Sequence, residues 1–212
     1  MQTSHFSRLL TGLLPLLAAA CSGTSDNPYA NLEDPPLVEA RLHTVTLVSG
    51  SEAMASRIIA QGYVATPLAP NYPQANAVEA SIWGVPEPVA EKVQLFKPAS
   101  SGAPDLRLLV MPLAARGRTA DQGTERAFFR NVLGTDVPQW PLPGKADDQA
   151  RVQVWTYLVP DVLEASKRLR ASGIPVIYDP VAITTSYLGD YKSLAIRAPD
   201  GTVVHLVETA AQ

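Results

Sequence analysis

The 212-residue chain has little of what several protein classes require. It contains one cysteine, which excludes an intrachain disulfide, a cysteine-rich zinc site and an iron–sulfur cluster. The net charge is −3 and no run of Lys and Arg occurs, so nucleic acid is not an expected partner. A Gly-rich phosphate loop and a GxSxG nucleophile motif are both missing. Nineteen prolines predict loops and short strands, and not a helical bundle.

The amino-terminal residues have the pattern of a targeting segment. Arg8 precedes the apolar stretch Leu9–Leu17, which is too short for a bilayer span of about 20 residues. Ala18–Ala20 then lead into Cys21, and this ending resembles the lipobox of bacterial lipoproteins. The resemblance implies a lipid on Cys21 and, with Ser22 following, a periplasm-facing anchor that is more typical of the outer than of the inner membrane. Cleavage without lipidation, which would leave a secreted protein with a free thiol, stays open.

The rest of the chain divides by composition. A stretch rich in Ser, Asn, Asp, Gly and Pro predicts a flexible tether, and the remainder is apolar enough to form one domain. The predicted parts are a signal peptide (1–20), a tether (21–40) and a domain (41–211) made of module one (41–113), a linker (114–150) and module two (151–211).

The two modules repeat one order of elements, strand–helix–strand–strand–strand. In module one a strand begins at Arg41, and a helix ends at Gly62. Three strands are then predicted at Val78–Trp83, Val93–Phe96 and Leu106–Met111. In module two a helix capped by Asp161 ends at Gly173. The strands of module two are predicted at Val152–Val159, Val176–Tyr178, Leu194–Arg197 and Val203–Val207.

The paired order, with the segments YLVPDVLEASKRLRASGIPV and LAIRAPDGTVVHLVE, resembles the vicinal oxygen chelate superfamily. This group includes glyoxalase I, bleomycin-resistance proteins and extradiol dioxygenases. The resemblance covers about residues 41–208. It implies an α+β fold in which two βαβββ modules form one cup-shaped mixed sheet, with helices on its outer face. It also implies a small-molecule ligand in the cup, and it favours a homodimer.

The resemblance places metal ligands on strands that face the cup. His43 and His205 match two ligand positions, and they would be the only histidines of a chain that has lost its signal peptide. Two histidines suit Zn²⁺, Ni²⁺, Mn²⁺ or Fe²⁺. The third ligand is not identified, because the matching position is about Val154. Gln153 points to the opposite face unless a bulge turns it inward.

Other side chains are candidates for the cup. Alternation places His205 on the same face as Val203 and Val207. Possible further ligands are Glu79, Tyr187, Tyr191 and, with alternation against it, Glu208. The residues predicted to contact a small molecule are Trp83, Trp155, Tyr157, Tyr187, Tyr191 and Lys192.

Two classes of function therefore stay open. One is a metal-dependent lyase, isomerase or dioxygenase in the cell envelope. The other is a non-catalytic, metal-free module that sequesters a small molecule, as bleomycin-resistance proteins do. A structural envelope protein with a vestigial cup is a third reading. Glyoxalase I activity itself is disfavoured, because glutathione chemistry belongs to the cytoplasm and the ligand set is incomplete.

Overall fold

The structure is a computed structural model, and it describes residues 27–32, 35–71, 73–100, 102–113, 120–142 and 150–210. The predicted signal peptide and Cys21 lie outside the described residues. Among the helices that are described, none is long and apolar enough to cross a membrane.

The elements of module one come first along the chain. They are β1 (Arg41–Ser49), α1 (Ala53–Ala60), β2 (Tyr63–Thr66), α2 (Pro73–Trp83), α3 (Glu87–Ala90), β3 (Gln94–Pro98) and β4 (Asp105–Val110). The linker contains α4 (Gln122–Ala127), which continues into a π-helical turn (Phe128–Val132). Module two consists of β5 (Ala150–Leu158), α5 (Val162–Ala171), β6 (Val176–Thr185), β7 (Gly189–Arg197) and β8 (Val203–Thr209).

All eight of these strands form a single mixed sheet in the order β2-β3-β4-β1-β5-β8-β7-β6. Each module contributes four neighbouring strands, and the modules join where β1 and β5 run antiparallel. Within each module the first and last strands are parallel, β1 with β4 and β5 with β8. The predicted α+β fold, with two modules in one mixed sheet, is confirmed.

Side-chain alternation gives the sheet two different faces. One face, called the outer face here, packs against α1, α5 and the π-helical turn through residues such as Leu47, Leu108 and Leu206. The opposite or inner face carries Val154 and Val207, and it packs against α2 and α3. Helices were expected on the outer face, so the covering of the inner face by α2 and α3 is a departure from the prediction.

This departure begins with an incorrect strand assignment. The segment Val78–Trp83 was predicted as a strand, but it is the second half of α2. Three alanines favour a helix between residues 73 and 83, and small side chains at Ala75 and Ala80 allow the helix to lie close to the sheet. The strand that pairs with β3 is instead the short β2, which the sequence analysis missed.

Two other boundaries differ from the predictions. The strand predicted at Val176–Tyr178 continues to Thr185, and the next begins at Gly189. The strand predicted at Leu194–Arg197 thus begins five residues earlier, and Asp190–Lys192 lies in β7, where it pairs with β6 and β8. Periodicity alone did not detect these polar strand ends, because the exposed edge strand β6 lacks a continuous apolar pattern.

Part of the predicted tether is attached to the domain. The backbone N–H groups of Leu37, Val38 and Ala40 donate to the carbonyl oxygens of residues 131–133 at 2.9–3.1 Å. Val38 is buried, and a Cβ added at Gly134 would come within 2.9 Å of Pro36 Cγ. Because Gly134 also has φ +68°, the chain needs glycine here for two independent reasons.

We expect Gly134→Ala to lower the free energy of unfolding by about 1–3 kcal/mol, from the left-handed backbone and the contact with Pro36. Gly50→Ala is the matched control, because an added Cβ there meets no atom within 4 Å. Urea denaturation of both variants measures the difference. Equal midpoints would contradict the close packing of residues 36–38 on the linker.

Candidate functional site

The inner face is built around a buried arginine. Arg107 lies on β4 beside Thr46 of β1, and its side chain is fully buried. Its Nη1 donates to the Tyr187 hydroxyl at 2.8 Å, and its Nη2 donates to Thr156 Oγ1 at 2.7 Å. The guanidinium carbon also lies 4.7 Å from the centre of the Trp83 ring, a cation–π contact. An arginine in this setting is always charged, so its surroundings must supply negative charge or dipoles.

The negative charge comes from Glu79, which α2 carries into the inner face. This carboxylate is fully buried and accepts hydrogen bonds from the hydroxyls of Tyr187 and Tyr191, the latter at 3.1 Å. Asn71 Nδ2 donates to its other oxygen at 3.2 Å. Burial raises the pKa of Glu79, while the charge of Arg107 and the tyrosine hydrogen bonds act in the opposite direction.

His205 lies on the same face, as alternation predicted, and it is fully buried on β8. Neither ring nitrogen has a hydrogen-bond partner within the described part of the chain. Burial, and after it the charge of Arg107, lowers the pKa of His205 to about 3. The imidazole is therefore neutral at physiological pH, and it faces the ring of Tyr191 at 6.0 Å between ring centres.

Other polar atoms of this cluster are also left without partners among the described residues. They are Thr46 Oγ1, Trp83 Nε1 and Arg107 Nε, in addition to the two nitrogens of His205. Most buried polar atoms in native proteins are paired, and each unpaired one costs about 1–3 kcal/mol. Such a concentration at one place is costly for the fold, and it is the feature that marks the inner face as a candidate binding site.

Two β-bulges lie close to this cluster. The pairing of β1 with β5 skips His43, whose Nδ1 contacts Thr44 Oγ1 at 2.6 Å. The same pairing skips Gln153, and the side-chain amide of Gln153 donates to the Trp83 carbonyl oxygen at 2.8 Å. The irregularity that the sequence analysis considered at Gln153 is therefore present. The Gln153 side chain contacts the last residue of α2.

The remaining predicted contacts divide between different parts of the molecule. Trp83, Tyr187, Tyr191 and His205 come together on the inner face. Trp155 and Tyr157 belong to the outer hydrophobic core, where burial raises the pKa of Tyr157 to about 12. Lys192 lies on β7 and bonds to Glu208 at 3.0 Å. Glu208 also accepts from the backbone of Val162, at the start of α5.

The described residues do not fit a divalent metal ion. Among them, no group of three or more His, Cys, Asp and Glu side chains is arranged to hold a metal. After burial, the charge of the Arg107 guanidinium lowers the pKa of His205, and the same repulsion would act on a cation bound there.

Arg107, Thr46 and Thr156 are the site residues that the sequence analysis missed. One signal was present, because Arg107 interrupts the apolar run of the β4 sequence DLRLLV. A charged side chain in a strand that is otherwise buried needs a partner or a function. The groups that surround its charge could not be identified, since Glu79 and Trp83 lie on a helix that was predicted as a strand and Tyr187 lies 80 residues away.

Comparisons with solved structures find similar chain arrangements at low identity. A methylmalonyl-CoA epimerase from Mycobacterium tuberculosis matches over 86% of this chain and 95% of its own, with 17% identity and a TM-score of 0.46. A hypothetical protein from Bacillus halodurans C-125 matches over 82% and 96%, with 11% identity and a TM-score of 0.45. A mutant of 4-hydroxymandelate synthase from Streptomyces coelicolor matches over 82% and 50%, with 10% identity and a TM-score of 0.43.

No protein-family model matches the chain, and no curated protein matches it. At these identities and TM-scores, the solved structures assign neither a family nor an activity to this chain.

We expect replacement of His205 to change the acid sensitivity of the fold. Its pKa is about 3 in the folded state, whereas an unperturbed histidine has a pKa of about 6.5, so the unfolded chain binds a proton first as the pH falls. Below about pH 6.5 this favours unfolding by about 1 kcal/mol per pH unit until the folded state is also protonated. His205→Gln should therefore lose less stability than wild type between pH 6.5 and 4 in urea denaturation.

His43→Gln serves as the comparison, because this variant keeps the buried imidazole of His205. Burial also lowers the pKa of His43, so this variant should lose a smaller part of the decline with acid, and the larger part that comes from His205 should remain. Parallel pH profiles for wild type and His205→Gln would show that His205 is not held neutral on the inner face.

Proposed function

We propose that this protein is a metal-free binding module that holds a small molecule on the inner face of its sheet, around Arg107. The observation that carries the proposal is the concentration of unpaired polar atoms beside a buried guanidinium. A fold that needed only stability would gain by replacing such groups with apolar ones of similar size. A ligand with oxygen atoms would instead satisfy them.

The chemistry of the cluster favours binding over catalysis. Arg107 Nε and Trp83 Nε1 are fixed donors, and the neutral ring of His205 offers one donor and one acceptor. The aromatic rings of Trp83, Tyr187 and Tyr191 supply apolar and stacking surface. Such a combination of a few polar groups and aromatic walls is typical of small-molecule sites.

We also propose that the protein is anchored by a lipid on Cys21 and faces the periplasm. The support is the sequence alone, namely the small residues Ala18–Ala20 before the only cysteine of the chain. Mass spectrometry of the mature amino terminus in the native host tests this. We expect a diacylated Cys21 as the first residue, and an unmodified cysteine would contradict the anchor.

Thermal denaturation in the presence of small aromatic and oxygen-rich compounds tests the binding proposal. We expect at least one compound to raise Tm in protein treated with a chelator, since a ligand of the folded state stabilises it by mass action. Arg107→Met should abolish the increase. Arg168→Met, a change on the exposed side of α5, should preserve it.

Metal analysis of the purified protein tests the alternative, a metal-dependent enzyme. Metal analysis should give far less than one equivalent per chain, both for wild type and for a His43→Ala/His205→Ala double variant. Stoichiometric metal in wild type that the double variant loses would overturn the metal-free proposal.

A further inference from the structure

We propose that the ligand of the inner face is a small aromatic carboxylate, and that Glu79 of α2 is an internal counter-ion which this ligand displaces. The inference rests on the proposed function, which it narrows to one chemical class. Its structural basis is the way in which α2 supplies both the charge and the aromatic cover for Arg107.

The positive charge of Arg107 is balanced by the Glu79 carboxylate without direct contact between the two groups. Among the described residues it forms no direct ion pair with a carboxylate, because the Tyr187 hydroxyl lies between the guanidinium and Glu79. The hydroxyl accepts from Arg107 and donates to the carboxylate. The guanidinium thus keeps an unpaired Nε–H, while arginine is best suited to a direct, two-pronged contact with a carboxylate. A ligand carboxylate placed against Arg107 would supply the missing contact.

The surroundings of Arg107 favour an aromatic acid. The Trp83 and Tyr187 rings lie 4.7 and 5.3 Å from the guanidinium carbon, and Tyr191 lies beside His205. Tyr187 precedes β7 and Tyr191 lies on β7, so both rings remain when α2 is displaced and provide stacking surface for a flat ligand whose acidic end reaches the arginine. The unpaired ring nitrogens of His205, which lies on the sheet, could pair with a further polar atom of such a ligand.

Helix α2 is held over the inner face by a small number of polar contacts. Besides those of Glu79, Gln153 bonds to the Trp83 carbonyl, and Asn71 Oδ1 accepts from the Ser186 N–H at 2.7 Å. An open cleft of about 240 Å³ separates the start of α2 from β6. Its lining is Gln74, Ala75, Val78, Ala182, Ile183 and Thr184. This cleft lies along the seam between α2 and β6, which is the side on which α2 would separate from the sheet.

Displacement of α2 costs free energy, and this cost lowers the affinity that we expect for the ligand. Trp83 and Ile82 are buried, so their exposure opposes binding. The apparent affinity of wild type is reduced by the small fraction of molecules in which α2 is displaced. Removal of the Glu79 charge leaves Arg107 without its counter-ion and weakens the attachment of α2, so it should increase the affinity for an external carboxylate.

Isothermal titration calorimetry with benzoate and its neutral isostere benzamide tests the inference on the full chain. We expect Glu79→Gln to bind benzoate roughly tenfold more tightly than wild type does, which corresponds to about 1.4 kcal/mol. Glu87→Gln removes one exposed acidic charge from the neighbouring α3, and it should leave the benzoate affinity unchanged. Benzamide should gain nothing from either change.

A second variant and a second measurement keep the test informative if Glu79→Gln folds poorly. Tyr191→Phe removes one of the hydrogen bonds to Glu79, and we expect a smaller gain in the same direction. Hydrogen exchange should show faster exchange of the α2 amides on saturation with benzoate, whereas the α5 amides should not change.

The outcomes separate the two proposals. Equal gains for benzoate and benzamide, or no gain in Glu79→Gln and Tyr191→Phe, would overturn the inference about Glu79 even where wild type binds another compound. Slower exchange in α2 on benzoate binding would overturn displacement. Failure of every compound to bind wild type and all variants would overturn the proposed function itself.

Discussion

The burial of one positive charge, on Arg107, determines the arrangement of the inner face. A guanidinium cannot lose its proton under cellular conditions, so the protein must balance its charge where it lies. Thr156 and Tyr187 accept its hydrogen bonds, Trp83 covers its face, and Glu79 supplies the opposite charge through Tyr187. Of these four residues, Glu79 and Trp83 lie on α2. The position of this helix over the sheet is thus an electrostatic requirement as well as a packing one.

The repeated architecture explains why the cluster lies where the two modules meet. In module one, Thr46 of β1 lies beside Arg107 of β4, and in module two, Thr156 of β5 lies beside His205 of β8. Each module therefore presents a threonine next to a larger polar residue on the inner face. The two pairs come close together because β1 and β5 are neighbours, and Arg107 crosses this boundary to bond Thr156. One sheet thus combines groups that are far apart in the sequence.

Much of the fold could be predicted from local patterns. The glycine at the last hairpin, Gly201, takes φ +89°, and alternation along β8 correctly placed His205 among Val203 and Val207. The Asp161 side chain caps α5, accepting from the Glu164 N–H at 2.9 Å. These features depend on residues that are near one another in the chain. The sequence analysis therefore had the information that they require.

The covered inner face could not be predicted in the same way. The segment that ends at Trp83 has a weak helical pattern, since its buried side chains include small alanines and a glutamate. Its choice of helix over strand depends on partners about 30 to 110 residues away, notably Arg107, Tyr187 and Tyr191. Glu79 was a candidate for the cup, yet only the structure shows that a tyrosine hydroxyl links it to an arginine. Long-range electrostatic pairing leaves no periodic signal in a single sequence.

The same long-range pairing determines what chemistry the inner face can support. A divalent metal and a guanidinium both stabilise negative charge on oxygen, and two such cations in one small enclosed space would repel each other strongly. Arg107 already occupies the inner face, and burial together with its charge lowers the pKa of His205. An arginine binds and orients an anion through fixed N–H donors, but it offers no open coordination position for a substrate oxygen. An arginine at the centre of the inner face therefore supports the proposed binding of an acid, since its fixed N–H donors can hold a carboxylate in place.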